Sequence, residues 1–140
     1  MTGNANSVLL TDVDRQRLGT LLTRIDSQAV GSSRLRGKLE RKLEDAGSVA
    51  VAYAPDTLVT MNSRVVVREM ETGDKRTHTL VYPEDRDLAD GSITVLQDLG
   101  CSLLGHRVGE TVGVRDANQS KRYRIEELLF QPEAEGLSWL

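Results

Sequence analysis

Histidines, a cysteine and clustered carboxylates are the groups with which a short chain does chemistry, and here they stand apart from one another. His78 and His106 are the two histidines of the 140 residues. They fall in different segments, and neither has the His-x-x-x-His spacing that sets two ligands on one helix face. Both read as structural or solvated. The string Gly105-His106-Arg107-Val108-Gly109 has two glycines four apart but no following Lys-Ser/Thr, so it is a turn and not a phosphate cradle. Glu84-Asp85-Arg86-Asp87 gathers carboxylates but lacks the ligand alternation and the glycine of a calcium loop. Cys101 is alone, which excludes an intrachain disulfide and a thiolate metal site. Its neighbours Leu99, Leu103 and Leu104 point to a buried, inert thiol. No nucleophile elbow is present. The residue types and spacings therefore point to a non-enzyme with no cofactor, no metal and no catalytic residue.

One acid is placed against local preference. Asp26 stands at the C-terminal end of an expected helix, where the macrodipole disfavours negative charge. Two readings stay open: Asp26 opens a turn, as Asp commonly does, or it marks a functional tip together with Ser27.

The elements that position these groups follow from periodicity. Thr11-Asp12 reads as a helix N-cap, with Asp14 adding negative charge to the first turn. Leu18, Leu21, Leu22 and Ile25 then repeat on one helical face. A polar stretch, 26–31, breaks the pattern, and Ser32-Ser33 offers a second cap. Leu35, Leu39, Leu43 and Ala46 form the apolar face of a second helix over 34–46, with Gly47 as its C-terminal cap. Two such helices joined by a short loop predict an antiparallel hairpin, each arm about 20–22 Å long at 1.5 Å per residue. The other face of the second helix carries Arg34, Arg36, Lys38, Arg41 and Lys42. That stripe is either a solvated face or a surface for an acidic partner.

From Ser48 the period shifts towards two. The run Val65-Val66-Val67 suggests a strand buried on both faces, 71–74 a turn, and 76–82 a second strand that stops at Pro83. Short segments follow: a strand at 93–95, a small helix over 98–104 with Asp98 as its cap and Gly105 as its stop, and a strand at 110–115. A long strand over 121–131 turns Tyr123, Ile125, Leu128 and Phe130 inwards. The expected fold class is α+β: a hairpin over 1–47, then a mostly antiparallel sheet domain with one short helix over 48–140.

Composition narrows the function. Eighteen basic and twenty-one acidic residues give a net charge of −3, whereas duplex binding calls for a strong positive field. Residues 1–47 carry eight Lys/Arg against six Asp/Glu, and 48–140 carry ten against fifteen. Aromatics make up only 4% of the chain, which disfavours modules that stack bases on aromatic platforms. The first seven residues are polar and unlike a signal peptide. No stretch approaches the ~18 apolar residues of a membrane span. The expectation is a soluble, cytoplasmic protein, with no membrane and no direct sequence-specific nucleic-acid contact; the oligomeric state is left open.

Four strings in the second module are specific together: Val59-Thr60-Met61-Asn62-Ser63-Arg64-Val65, Thr79-Leu80-Val81-Tyr82-Pro83, Ser102 to Glu110, and Phe130-Gln131-Pro132-Glu133-Ala134. In this order they resemble the regulator of nucleoside diphosphate kinase (Rnk) family, a branch of the GreA/GreB transcript elongation factor superfamily, over residues 8–137. The resemblance implies a coiled-coil hairpin and an FKBP-like second domain. It also implies binding to RNA polymerase near the secondary channel. In that superfamily a long hairpin presents tip acids that help hold a catalytic metal for cleavage of backtracked RNA.

Here the arms are too short for that task. About thirty residues per helix would reach roughly 45 Å, and Asp26 and Ser27 at the tip supply a single carboxylate. The resemblance thus implies a polymerase-binding regulator that competes with Gre-type factors without stimulating cleavage. Family docking uses a Ser-Pro pair before the small helix, which reads Gln97-Asp98 here. The candidate contact residues are Tyr82, Asp98, Leu99, Gly100, Ser102 and Leu103. An FKBP-like fold raises peptidyl-prolyl isomerase activity as the alternative, disfavoured by the few, scattered aromatics. A protein-binding module acting on the level of nucleoside diphosphate kinase is the other.

Overall fold

Thr11 sets where the first helix begins. Its Oγ1 accepts the Asp14 backbone N–H at 3.0 Å, which satisfies one of the donors that an α-helix leaves open at its start. The structure is a computed structural model that describes residues 8–24, 33–87, 90–116 and 119–137. A short strand β1 (Leu9–Thr11) leads into α1 (Asp12–Arg24), and α2 (Ser33–Asp45) leads into β2 (Gly47–Val49). The expected tip, including Asp26 and Ser27, lies outside the described residues.

α1 and α2 are held at their shared end by Arg15. Its guanidinium donates to the carbonyls of Leu43, Ala46 and Gly47, the last of α2 and the first of β2. A cation there also complements the C-terminal dipole of α2. Gly47 does not cap α2 in a left-handed turn as its position suggested. It pairs with Leu9 in a parallel β1–β2 ladder, where a Cβ would sit 2.9 Å from the Leu9 side chain.

The larger sheet has the order β5-β4-β3-β7-β6. It is built from β3 (Arg64–Glu69), β4 (Lys75–Val81), β5 (Ser92–Thr94), β6 (Thr111–Asp116) and β7 (Gln119–Phe130). All neighbours are antiparallel except β4–β5, which is parallel. Short 3-10 turns occupy Val51–Tyr53 and Pro83–Asp85, and α3 (Asp98–Leu103) joins β5 to β6.

β3 is not buried on both faces. Val65 and Val67 are fully buried, while Val66 between them faces the other side and is half-exposed. A run of three valines is therefore β-propensity, with only the alternate positions in the core. Register shifts in the β3–β7 pair, between Arg64 and Val65 and between Val66 and Val67, mark bulges in β7. They keep Ile125 buried and leave Leu128 partly buried, both on the core side; Phe130 pairs with Arg64 on the outer side.

A single hydrophobic cluster crosses the expected boundary at residue 47. Leu10, Leu18, Leu21, Leu22 and Leu39 from the helical part pack with Val65, Val67, Leu80, Leu103 and Ile125. Burial of each such side chain is worth about 1.5–3 kcal/mol, so the described arms of the helical part are fastened along the sheet. Among the described residues no helix is long and apolar enough to cross a membrane.

Candidate partner-binding site around the short helix

α3 is six residues long, far below the length at which a helix is stable alone. Its neighbours hold it. Gln97 is the N-cap residue, without a side-chain bond to the helix; its Oε1 accepts the Thr94 N–H at 2.7 Å instead. Asp98, expected as the cap, sits in the first turn and is engaged elsewhere. Its carboxylate accepts from Arg34 at 2.5 Å and from Lys38 at 2.6 Å, both on α2. Burial works against that carboxylate, but the Lys38 and Arg34 hydrogen bonds hold its pKa below the usual value.

The other end of α3 is held by Lys42. Its Nζ donates to the carbonyls of Cys101 (2.6 Å), Leu104 (2.7 Å) and Ser102 (3.2 Å). These are the C-terminal acceptors that lack intrahelical donors. Burial pushes the Lys42 ammonium down to about 8. Arg34, Lys38 and Lys42 recur every four residues, so one ridge of α2 reads the whole of α3. The basic stripe thus meets acid and carbonyls within its own chain.

This placement divides the candidate contact residues. Gly100, Ser102 and Leu103 are buried. A Cβ on Gly100 would lie 2.1 Å from the Thr94 carbonyl oxygen. Ser102 Oγ takes the Lys38 ammonium at 2.5 Å and donates to the Gly113 carbonyl. Leu103 is fully enclosed in the core. The expectation of an open surface at these three positions is therefore corrected: they hold α3 in place, and a partner finds them covered. Asp98 and Leu99 are half-buried and remain reachable at the surface.

Tyr82 belongs to a different feature. It lines a groove of about 610 Å³ between α1 and the Pro83–Asp85 turn, with Gln16, Arg17, Arg24, Asn62 and Glu84. Burial, and then the nearby Asp14 carboxylate, push its phenol pKa upwards. Asn62 adopts φ 68°, the left-handed region that Asn tolerates better than most side chains. Beneath the groove, Asp14 Oδ2 accepts the Met61 N–H at 2.9 Å. Burial raises the Asp14 carboxyl to about 7.

By sequence Asp14 reads as a dipole charge and the basic stripe as either a solvated face or a surface for an acidic partner. The spacing Thr11-x-x-Asp14, a capping-box pattern, and the four-residue repeat of Arg34, Lys38 and Lys42 were the available signals.

The histidines do not converge. His78 Nδ1 lies 3.0 Å from the Gly91 carbonyl and His106 Nδ1 3.2 Å from Glu110 Oε1. Burial, and then Lys42, lower the His106 pKa. Among the described residues no three His, Cys, Asp or Glu side chains gather as a metal site. The arrangement places a clamped short helix at a sheet end and a polar groove beside α1.

Residues 54–129, from just after the 3-10 turn at Val51–Tyr53 to the end of β7, match the family model described as transcription elongation factor, GreA/GreB, C-term. The chain belongs to the GreA/GreB family. It is 30% identical over 131 residues to the "Regulator of nucleoside diphosphate kinase" of Escherichia coli (strain K12), covering 93% of this chain and 94% of that one. That end-to-end match places it on the Rnk branch. The "Transcription elongation factor GreA" of Anaeromyxobacter sp. (strain K) is 28% identical over 96 residues, 69% of this chain but 58% of the relative.

Among solved structures, a "Prokaryotic transcription elongation factor GreA/GreB from Nitrosomonas europaea" superposes with a TM-score of 0.71 at 31% identity. The superposition covers 89% of this chain and 98% of that one. These GreA/GreB relatives carry the names of a regulator and of elongation factors, none of a catalyst, and they make this chain a transcription-related regulator.

Proposed function

We propose that this protein binds RNA polymerase near its secondary channel and modulates transcription without stimulating transcript cleavage. The observation that carries the reading is the size of the helical part. α1 and α2 are 13 residues each, about 20 Å, and α1 is spent on the core through Leu18, Leu21 and Leu22. A carboxylate must come within about 2.5 Å of a cation to coordinate it, and arms fastened along the sheet give little reach. The docking surface under this reading is the accessible part of the α3 end, Asp98 and Leu99, with Tyr82 on the groove side. Any influence on nucleoside diphosphate kinase then runs through gene expression.

The test is competition on purified core polymerase between this protein and a cleavage-stimulating factor, read together with cleavage of backtracked RNA. Displacement of the factor with no cleavage by this protein supports the reading. No binding at micromolar protein, or cleavage above background, removes it.

A further inference from the structure

The core and the helices occupy one face of the five-stranded sheet, and the opposite face carries a concentration of arginine. Strand alternation sorts the side chains. Val65, Val67, Val112, Val114 and Ile125 are buried, so their neighbours Arg64, Arg68, Arg115, Arg122 and Arg124 project from the other side. The register agrees. Arg68 pairs with Arg124 on one flank and Lys75 on the other, and Gly113 of β6 pairs with Arg122.

These five arginines and Lys75 face Glu71, Glu126 and Glu127, an excess of cations in a chain whose net charge is −3. Glu126 is shared between Arg68 and Arg124 at 3.5 Å each, and Glu71 takes Arg122 at 3.3 Å. Arg64, Lys75 and Arg115 are exposed and have no acidic partner among the described residues. The patch spans β4-β3-β7-β6, about 14 Å across at ~4.8 Å per strand.

Two further observations say what kind of anion fits. The cations are arginines with one lysine, and apolar groups lie among them. Met70 is 39% and Leu129 49% exposed, and Val66 stands half-exposed between Arg64 and Arg68. At one end a shallow hollow of about 430 Å³ is formed by Asn62, Arg64, Thr79, Leu129 and Phe130. Arginine, methionine and aromatics with little lysine are the composition of protein interfaces, and an anchor side chain seated in a hollow is their usual energetic centre. Arginine forks bind carboxylates in pairs. A phosphate backbone would use the charge but leave the apolar groups and the hollow unfilled.

We infer that the outer face of this sheet is a docking surface for an acidic protein segment, whose carboxylates pair with Arg64, Arg68, Arg115, Arg122 and Arg124 while one apolar side chain fills the hollow at Phe130. The surface is separate from the α3 end and meets the α1 groove only at Asn62, and it stands whether or not those contact polymerase.

The test uses the full chain, isotope-labelled, with three probes of equal charge. They are a 15-residue peptide rich in Asp and Glu with one central Leu, the same peptide with Gln for Leu, and a single-stranded DNA oligomer. Amide shifts confined to the outer positions of β3, β6 and β7 are expected with the Leu peptide, with at least threefold tighter binding than for the Gln peptide and for the DNA. Arg64→Glu with Arg124→Glu, both exposed and outside the core, should weaken the Leu peptide at least tenfold with an unchanged circular dichroism spectrum. Arg122→Lys with Arg124→Lys, which keeps charge but loses the fork, should weaken it severalfold. Equal or tighter binding of DNA, shifts elsewhere, self-association through this face in place of peptide binding, or no binding of any probe overturns the inference.

Discussion

The Asp14 carboxylate accepts the backbone N–H of Met61 at 2.9 Å across 47 residues of sequence, and this bond joins the first helix to the strand-bearing part of the chain. Asp14 is 3% exposed. Its own N–H is tied to Thr11 Oγ1, so the residue both starts α1 and fixes where α1 docks. Arg17 lies near enough to favour its charge and Glu133 near enough to oppose it.

The bond makes stability depend on pH in an uncommon direction. Burial lifts the Asp14 carboxyl from the ordinary 3.8 to about 7. Between those values the folded chain holds a proton that the unfolded chain has lost, so Asp14's contribution falls as pH rises from about 4 to about 7 and is largest below 4. Urea unfolding at pH 5 and pH 7.5 should show this slope. Asp14→Asn, which keeps an oxygen for Met61, should remove it, and Asp14→Ala should cost about 1–3 kcal/mol at pH 5 by orphaning the Met61 donor.

Lys42 carries the second docking contact. Lys42→Met keeps the aliphatic stem but leaves the carbonyls of Cys101, Ser102 and Leu104 without their shared donor. The expected loss is about 1–3 kcal/mol, with faster hydrogen exchange in α3 than in β7. Burial lowers the Lys42 pKa from 10.5 to about 8. The unfolded chain therefore binds the extra proton between pH 8 and 10.5, and Lys42's contribution to stability rises with pH across that window. The variant should lose this rise.

Local signals were legible because one residue suffices to make them. Thr11 as a cap, the stop at Gly105 and a strand that ends before Pro83 hold in the structure, whereas the alternation expected over 76–82 does not, since β4 runs from exposed at Lys75 to buried at Val81. What escaped depends on a distant partner. Asp98 looks like a helix cap until α2 brings Arg34 and Lys38 to it. The stripe Arg34, Lys38 and Lys42 looks solvated until α3 lies beneath it. Val66 looks buried until the register shows that only its neighbours face the core. All the candidate contact residues but Tyr82 lie on α3, and sequence cannot say which side of a six-residue helix its neighbours cover.

Gly100 tests that cover directly. A Cβ there would approach the Thr94 backbone oxygen to 2.1 Å and the Leu80 side chain to 3.1 Å. A backbone atom cannot rotate aside, so Gly100→Ala should cost about 3 kcal/mol through displacement of α3. Gly113, which has open space around its Cβ position, is the control. Gly113→Ala should change the thermal midpoint little and leave the α3 amide shifts in place.

Cys101 reports on the same docking without perturbing it. The thiol is fully buried, and burial raises its pKa, with Lys42 acting in the opposite sense. Thiolate is the reactive form, so modification requires both exposure and deprotonation, and the folded protein supplies neither. Iodoacetamide should therefore label the native chain only as fast as α3 opens, and denaturant should bring the rate to that of a free cysteine. In Lys42→Met the opening is less costly by about 1–3 kcal/mol, so labelling should accelerate about 5- to 140-fold, following the 1.4 kcal/mol-per-decade relation between free energy and population. If global stability falls in that variant while labelling stays slow, α3 is held by the apolar contacts of its Leu103 with the core, and the Lys42 cap is dispensable.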